Sequence, residues 1–210
     1  EFCAKGGIDA AAFQSKLSEQ LATYPEAALR VQFNLLGSHD TARLLTVAGN
    51  DARRARLAMT FLFAWPGAPV IYYGDEVGLD GGKDPACRKT FPWDPKKQDA
   101  ATLAHVRALG KLRSAERTLR RGTTRFLLAQ GKASVFVREA ERGEPGRPVL
   151  CVLNAADSST TLRIPLSGLS GVPHRLLGEG RVSIEGTELL VELAPYEGTF
   201  VGLGGPAGTK

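Results

Sequence analysis

The sequence has few cysteines and no cluster of metal-binding residues. Its 210 residues include three cysteines, Cys3, Cys87 and Cys151, which lie far apart. An odd number of separate cysteines is poor material for a disulfide framework, and they form no pair with the spacing of a zinc site. The sequence therefore predicts no metal site and offers no ligand cluster from which to argue a structural metal ion, and we also expect no organic cofactor.

The sequence also lacks a long apolar run and a glycosylation signal. No stretch approaches the roughly 18 apolar residues that predict a membrane-spanning helix, so we expect no membrane partner. There is no N-x-Ser/Thr site, which together with the separate cysteines favours the reducing cytoplasm. The chain begins at Glu1 with neither a methionine nor a signal-peptide pattern, so its true N-terminus can lie outside this sequence.

Charge gives little reason to expect a nucleic-acid partner. The net charge is +5, from 27 basic and 22 acidic residues, and basic residues concentrate only in residues 111–125. This segment contains Glu116 and has no interleaved aromatic residues. It is more typical of a solvated helix end than of a phosphate-binding patch, and we predict no nucleic-acid binding.

The first part of the chain alternates helices and strands. Asp9 and Asp51 are candidate N-caps, and buried strands are predicted over Val31–Leu36 and Val70–Tyr73. This order implies parallel pairing, yet two strands cannot bury their own apolar faces. We therefore expect residues 1–120 to be a slice of a larger α/β structure. Apolar residues at helical spacing predict three helices, at 8–24, 51–63 and 99–116.

The pattern changes to short strands and turns from about residue 123. Eight strands follow at the spacing of an antiparallel β-sandwich. We place the second domain at residues 121–205 and expect residues 206–210 to be a frayed tail. The predicted strands are 125–129, 134–139, 149–154, 160–165, 174–177, 182–184, 189–193 and 199–203.

Polar residues follow the first predicted strand, in the order Ser38, His39, Asp40. Adjacent residues on an extended chain point in different directions, so these three do not form a hydrolase triad. His39 can donate to a sugar hydroxyl, and the Asp40 carboxylate can oppose developing positive charge. The alternative is structural, with Asp40 capping the next segment and His39 satisfied at the strand end.

A long loop, residues 74–97, follows the second predicted strand. Connections of this length are usually functional or disordered, and its interleaved charges and aromatic residues favour order. Asp84 and Arg88 can pair with each other, or each can bind vicinal sugar hydroxyls. Glu76 can act as a second carboxylate beside Asp40.

Two aromatic residues of this region, Tyr73 and Trp93, can stack on a sugar ring. For both, we expect core packing instead.

Both polar segments resemble motifs of the α-amylase superfamily. FNLLGSHDTARLLT (Phe33–Thr46) resembles its fourth conserved region, and PGAPVIYYGDEVGLDGGKDPACRKTFPWD (Pro66–Asp94) resembles the segment of its eighth barrel strand. The form GG-x-DP-x-CR is similar to the neopullulanase, cyclomaltodextrinase and maltogenic amylase branch. The resemblance implies that residues 1–120 are the C-terminal slice of a (β/α)8 TIM barrel, with its last two strands and flanking helices, followed by an antiparallel β-sandwich domain.

The resemblance also implies residue roles. Asp40 matches the transition-state-stabilising carboxylate, and His39 lies beside it at the sugar of the cleaved bond. Arg43 matches a position typical of this branch and is predicted to bind substrate. Asp84 and Arg88 match positions that bind the non-reducing side of the substrate.

The implied reaction is retaining hydrolysis of α-1,4 bonds, with α-1,6 cleavage or transglycosylation as variants, in malto-oligosaccharides, cyclomaltodextrins or pullulan. In the family, the nucleophile and the general acid lie on earlier barrel strands, which this sequence lacks. We therefore predict that this chain alone is inactive and that it needs the missing N-terminal part, or a second copy, to cover its open side. The alternatives are a non-catalytic carbohydrate-binding module and an assembly module.

Overall fold

The structure, a computed structural model, describes residues 1–204, so the predicted frayed tail at 206–210 lies outside the described residues. Three helices confirm the predicted ones, and each begins at an aspartate whose carboxylate accepts backbone N–H groups. The four remaining helices are short and were not predicted. The helices are α1 (Phe2–Lys5), α2 (Ala10–Thr23), α3 (Glu26–Val31), α4 (Leu44–Val47), α5 (Ala52–Ala64), α6 (Ala100–Ala115) and α7 (Arg117–Arg121).

Two short strands, β1 (Phe33–Leu35) and β2 (Ala68–Val70), pair in parallel as predicted, with Phe33 opposite Ala68 and Leu35 opposite Val70. β1 is shorter than predicted because Val31 still belongs to α3, and β2 overlaps the strand predicted over residues 70–73 only at Val70, since it begins at Ala68. The prediction that β1 is buried is wrong: Phe33 is 73% exposed and Leu35 is 51% exposed. Within residues 1–204, β2 is its only strand neighbour, so one side of β1 is uncovered.

The second half of the chain forms two antiparallel sheets, and all eight predicted strands are present with small differences at their ends. One sheet has the order β3-β4-β5-β10-β7 and the other the order β6-β9-β8. The strands are β3 (Thr123–Gln130), β4 (Ala133–Glu139), β5 (Val149–Asn154), β6 (Thr160–Pro165), β7 (Pro173–Leu177), β8 (Arg181–Glu185), β9 (Glu188–Leu193) and β10 (Gly198–Leu203).

The five-stranded sheet is covered on both faces. Alternate side chains such as Val135 and Val152 join a core with the three-stranded sheet. The opposite face, including Phe136 and Phe200, packs in a second core with residues of the helices, such as Leu57. Because strand side chains alternate between faces, β4 and β5 are buried along almost their whole length.

Two polar side chains, one buried and one half-buried, also join the two halves of the chain. Arg138 of β4 is 1% exposed and donates through Nη1 to the carbonyl of Ala64 at the end of α5, over 2.6 Å. Lys132 donates to the carbonyl oxygens of Gly6 and Ile8. The sheet is thereby fixed against the helices, and the boundary predicted at residue 120 falls within α7.

Candidate active site

The two polar segments meet at one edge of the parallel pair. Residues 36–43 connect β1 to α4, and residues 71–99 connect β2 to α6. Because the strands are parallel, both connections leave from carboxyl ends, the edge where open α/β sheets and barrels place their ligands.

A hydrogen-bonded turn presents His39 and Asp40 to solvent. The backbone N–H of Ser38 donates to Thr41 Oγ1 over 3.0 Å, and the N–H of Asp40 donates to Ser38 Oγ over 3.2 Å. The His39 and Asp40 side chains are 61% and 69% exposed, with His39 Nε2 3.2 Å from Asp40 Oδ1. The alternative that Asp40 caps a helix is wrong, because α4 begins after Arg43 and has no side-chain cap.

The loop after β2 brings Asp84 and Arg88 to the same place. Arg88 Nε lies 2.8 Å from Asp84 Oδ1, so the ion pair that was one of the two sequence-based alternatives is present. Arg88 Nη2 is also 3.6 Å from Asp40 Oδ1, and Arg88 Nε donates to the His39 carbonyl over 3.2 Å. Four of the predicted site residues therefore form one cluster of an imidazole, a guanidinium and two carboxylates.

This cluster is suited to a neutral polyhydroxylated ligand. Its ion pairs are exposed, and pairs of that kind contribute little to folding stability. Carboxylates accept from hydroxyl groups, while a guanidinium and an imidazole N–H donate to them. The cluster thus offers both kinds of hydrogen-bonding group on an accessible surface.

Arg43 lies elsewhere, buried beneath the cluster with no exposed surface. Its guanidinium contacts the carbonyl oxygens of Tyr73 and Cys87 and lies 3.5 Å from Asp75 Oδ1. Any further part of the protein can only add to this burial. In this structure the Arg43 side chain has no exposed surface and its described partners lie in the connection after β2, and its role in substrate binding stays a prediction.

Sequence reasoning missed the partners of Arg43. Asp75 is 5% exposed, and burial raises its pKa to about 6, although the Arg43 guanidinium favours the charged carboxylate. Cys87 is fully buried, and its thiol donates to the His39 carbonyl over 3.1 Å. The only local signal was their position: Asp75 lies in the connection that follows β2, and Cys87 lies directly before Arg88.

Other predicted residues of the loop differ from expectation. The prediction that Trp93 and Tyr73 pack in the core is wrong. Trp93 is 83% exposed and lies beside the Phe91 ring, and the half-exposed Tyr73 donates through its hydroxyl to the Lys89 carbonyl. Glu76 Oε2 is buried with no hydrogen-bond partner in residues 1–204, and no described contact joins Glu76 to Asp40.

The described part of the chain contains neither a metal-binding cluster nor a helix that could cross a membrane. Among residues 1–204, no three or more His, Cys, Asp or Glu side chains are grouped so that they could hold a metal ion. No helix in that range combines the length and the apolar character needed to cross a bilayer.

Comparison with known proteins identifies the family. Residues 4–129 match the family model described as the alpha-amylase catalytic domain, so the chain belongs to the α-amylase family of glycoside hydrolases. The similarity to the cyclomaltodextrinase and neopullulanase branch is also confirmed, as the following relatives indicate.

A cyclomaltodextrinase of Geobacillus thermopakistaniensis is 39% identical over 195 residues, which cover 93% of this chain and 33% of the relative. Neopullulanase 2 of Thermoactinomyces vulgaris is 36% identical over 204 residues, covering 95% of this chain and 34% of the relative. The crystal structure of a debranching enzyme from Nostoc punctiforme superposes with a TM-score of 0.84 at 36% identity, covering 93% of this chain and 40% of that one. The chain thus spans about a third of the length of these curated relatives.

Proposed function

We propose that this chain is the C-terminal part of an enzyme that hydrolyses α-1,4-glucosidic bonds of malto-oligosaccharides, cyclomaltodextrins or pullulan with retention of configuration. The observation that carries the proposal is the exposed cluster of His39, Asp40, Asp84 and Arg88 at the carboxyl edge of two parallel strands. The names of the relatives, cyclomaltodextrinase and neopullulanase, support the substrate class.

Within this proposal, Asp40 stabilises the transition state. Glycoside cleavage passes through an oxocarbenium-like state, and a fixed carboxylate opposes its positive charge. His39 donates to a hydroxyl of the same sugar, and Asp84 and Arg88 bind a sugar on the non-reducing side. The nucleophile and the general acid come from the part of the enzyme that precedes residue 1.

We further propose that residues 1–120 are the last slice of a (β/α)8 barrel and residues 121–205 a β-sandwich domain. The uncovered side of β1 supports this, since Phe33 and Leu35 are apolar and would be covered by an earlier barrel strand. The partner is therefore the missing N-terminal part of the same protein. Three free, buried cysteines are compatible with the cytoplasm, which stays our prediction.

The alternative of a carbohydrate-binding module finds less support. Such a module needs exposed aromatic residues on the tail, but Phe136 and Phe200 are fully buried. The ring of Tyr196 lies under two arginines, Arg53 and Arg54, at 5.2 and 4.8 Å from their guanidinium carbons.

The test compares the chain alone with the chain joined to its N-terminal part, using cyclomaltodextrin, pullulan and starch. The chain alone should give no turnover, whereas the completed enzyme should be active. In the completed enzyme, Asp40→Asn should lower kcat by about 10²–10³-fold, while Asp157→Asn, at an exposed turn, should have no effect. Turnover by the chain alone at an ordinary rate of about 1–10³ per second would refute the proposal.

A further inference from the structure

Arg43 occupies a closed site built from three segments of the chain. Its guanidinium carbon lies 4.2 Å from the centre of the Tyr72 ring and 4.4 Å from that of Tyr73. Its Nε donates to the Cys87 carbonyl over 2.7 Å, and its backbone N–H donates to the Gly81 carbonyl over 2.9 Å. Arg43 thus connects the segment after β1 to both ends of the GG-x-DP-x-CR loop, through its backbone at Gly81 and through its side chain at Cys87.

The next contacts lead from Arg43 to the exposed cluster. The backbone of Cys87 accepts from Arg43, and the Cys87 thiol donates to the His39 carbonyl over 3.1 Å. The same His39 carbonyl accepts from Arg88 Nε over 3.2 Å. The two halves of the cluster, His39–Asp40 and Asp84–Arg88, are therefore joined through this carbonyl and Cys87.

The first glycine of the loop leaves room for this arrangement. A Cβ atom added to Gly81 would overlap with the Ala86 carbonyl oxygen, because the two atoms would be closer than non-bonded atoms can pack. The same Cβ would lie 3.1 Å from Cγ of Arg43. The next residue, Gly82, has no atom within 4 Å of an added Cβ. A side chain at residue 81 should therefore disturb these contacts, whereas one at residue 82 has room, so Gly82 is a matched control for Gly81.

We propose that Arg43 is a positioning residue that never touches substrate and acts through Cys87 to set the spacing between Asp40 and Arg88. This inference rests on the proposed function, since it assigns the two sides of the cluster to one substrate. It also gives a physical reason for the glycine and the cysteine of the loop motif. Gly81 admits the Arg43 stem, and Cys87 joins Arg43 to His39.

The first experiment uses the completed enzyme with Arg43→Lys, Gly81→Ala and the double variant, and Gly82→Ala as the control. A displaced Asp40 weakens transition-state stabilisation more than ground-state binding, so kcat should fall by about 10–100-fold with a smaller change in KM. Because both changes disturb the same contacts, the double variant should lose little more than the worse single variant. Gly82→Ala should match the parent.

Cys87 supplies a second test with a conservative variant. Cys87→Ser keeps a donor toward the His39 carbonyl, whereas Cys87→Ala removes it without adding bulk. Cys87→Ser should therefore recover most of the kcat that Cys87→Ala loses, at equal thermal stability. A residue that served packing alone would give the two variants equal rates.

Thiol labelling separates failure of this inference from failure of the proposed function. All three cysteines are buried, so a thiol reagent should react slowly with the folded parent and faster at Cys87 in Gly81→Ala and Arg43→Lys, as located by mass spectrometry. This readout needs no activity. An active parent whose Arg43→Lys and Gly81→Ala variants keep kcat within about twofold, or lose it multiplicatively in the double variant, would overturn the positioning role.

Discussion

Asp75 is a carboxylate kept in an environment that disfavours its charge. It is almost fully buried, and burial raises its pKa from 3.8 to about 6. Two charged groups shift the pKa of Asp75 in opposite directions: Arg43 at 3.5 Å lowers it by favouring the ionised carboxylate, and the neighbouring Glu76 raises it. At neutral pH Asp75 is ionised, and its negative charge balances the buried positive charge of Arg43. The loss of water around the carboxylate opposes this ion pair.

This pKa predicts a pH-dependent stability difference between the chain and Asp75→Asn. Between about pH 4 and 6 the folded state retains a proton on Asp75 that the unfolded state has released. The free energy of unfolding of the parent should therefore fall by roughly 1–3 kcal/mol relative to Asp75→Asn as pH rises through this interval. Urea unfolding across the interval measures it. A difference that does not change with pH would contradict the prediction.

At the level of single elements, α6 is joined to the active-site loop at its first turn. The Asp99 carboxylate accepts from the backbone N–H groups of Ala101 and Thr102 and from the Thr102 hydroxyl, over 3.0, 3.1 and 2.6 Å. Burial acts to raise the pKa of Asp99, but these hydrogen bonds outweigh it, so its pKa is lowered. The backbone N–H of Asp99 also donates to Val77, in the turn that follows Asp75.

Replacing Asp99 by alanine should therefore destabilise the chain. We expect Asp99→Ala to lower the free energy of unfolding by about 1–2 kcal/mol, and Asp99→Asn to lower it less because asparagine still caps helices. Asp9→Ala, which removes a single described cap bond at the start of α2, should cost less than Asp99→Ala. Urea unfolding of the three variants ranks them, and an equal loss for Asp9→Ala and Asp99→Ala would show that the additional Asp99 bonds contribute nothing.

The elements that sequence predicts well are those with local signals. Candidate caps at Asp9 and Asp51 located α2 and α5, apolar residues at helical spacing located α6, and turn residues located all eight strands of the two sheets. In the candidate site, an ion pair between Asp84 and Arg88 was one of two alternatives that the sequence offered, and the structure contains it. The burial of Arg43 could not be predicted in this way, because its partners Cys87 and Tyr73 are 44 and 30 positions away.

The β1 strand shows a different limit. Its apolar residues are typical of a parallel strand covered on both faces, and that pattern predicted a buried strand. The prediction fails because burial depends on neighbouring elements, and within residues 1–204 only β2 pairs with β1. The apolar residues of β1 are thus typical of a strand covered by neighbours on both faces, whereas in this chain Phe33 is exposed.

Considered as a whole, the molecule is well packed on one side and open on the other. The five-stranded sheet is covered by the helices on one face and by the second sheet on the other. The open side contains β1, where Phe33 and Leu35 project in the same direction because they are two residues apart. Exposed apolar residues that are grouped in this way mark a surface for association.

This asymmetry predicts how the isolated chain associates. Replacing both Phe33 and Leu35 by serine should reduce its self-association in light scattering with little change in its unfolding free energy, since neither side chain is buried here. The same double variant should need a higher concentration of the N-terminal part to reach half of the restored activity, because β1 would present polar side chains to the joining strand. Val172→Ser, a similarly exposed apolar position in the tail, should change neither measurement. If Val172→Ser reduced self-association as much as the β1 variant, association would depend on general surface hydrophobicity, and β1 would not be the surface that joins the proposed N-terminal part.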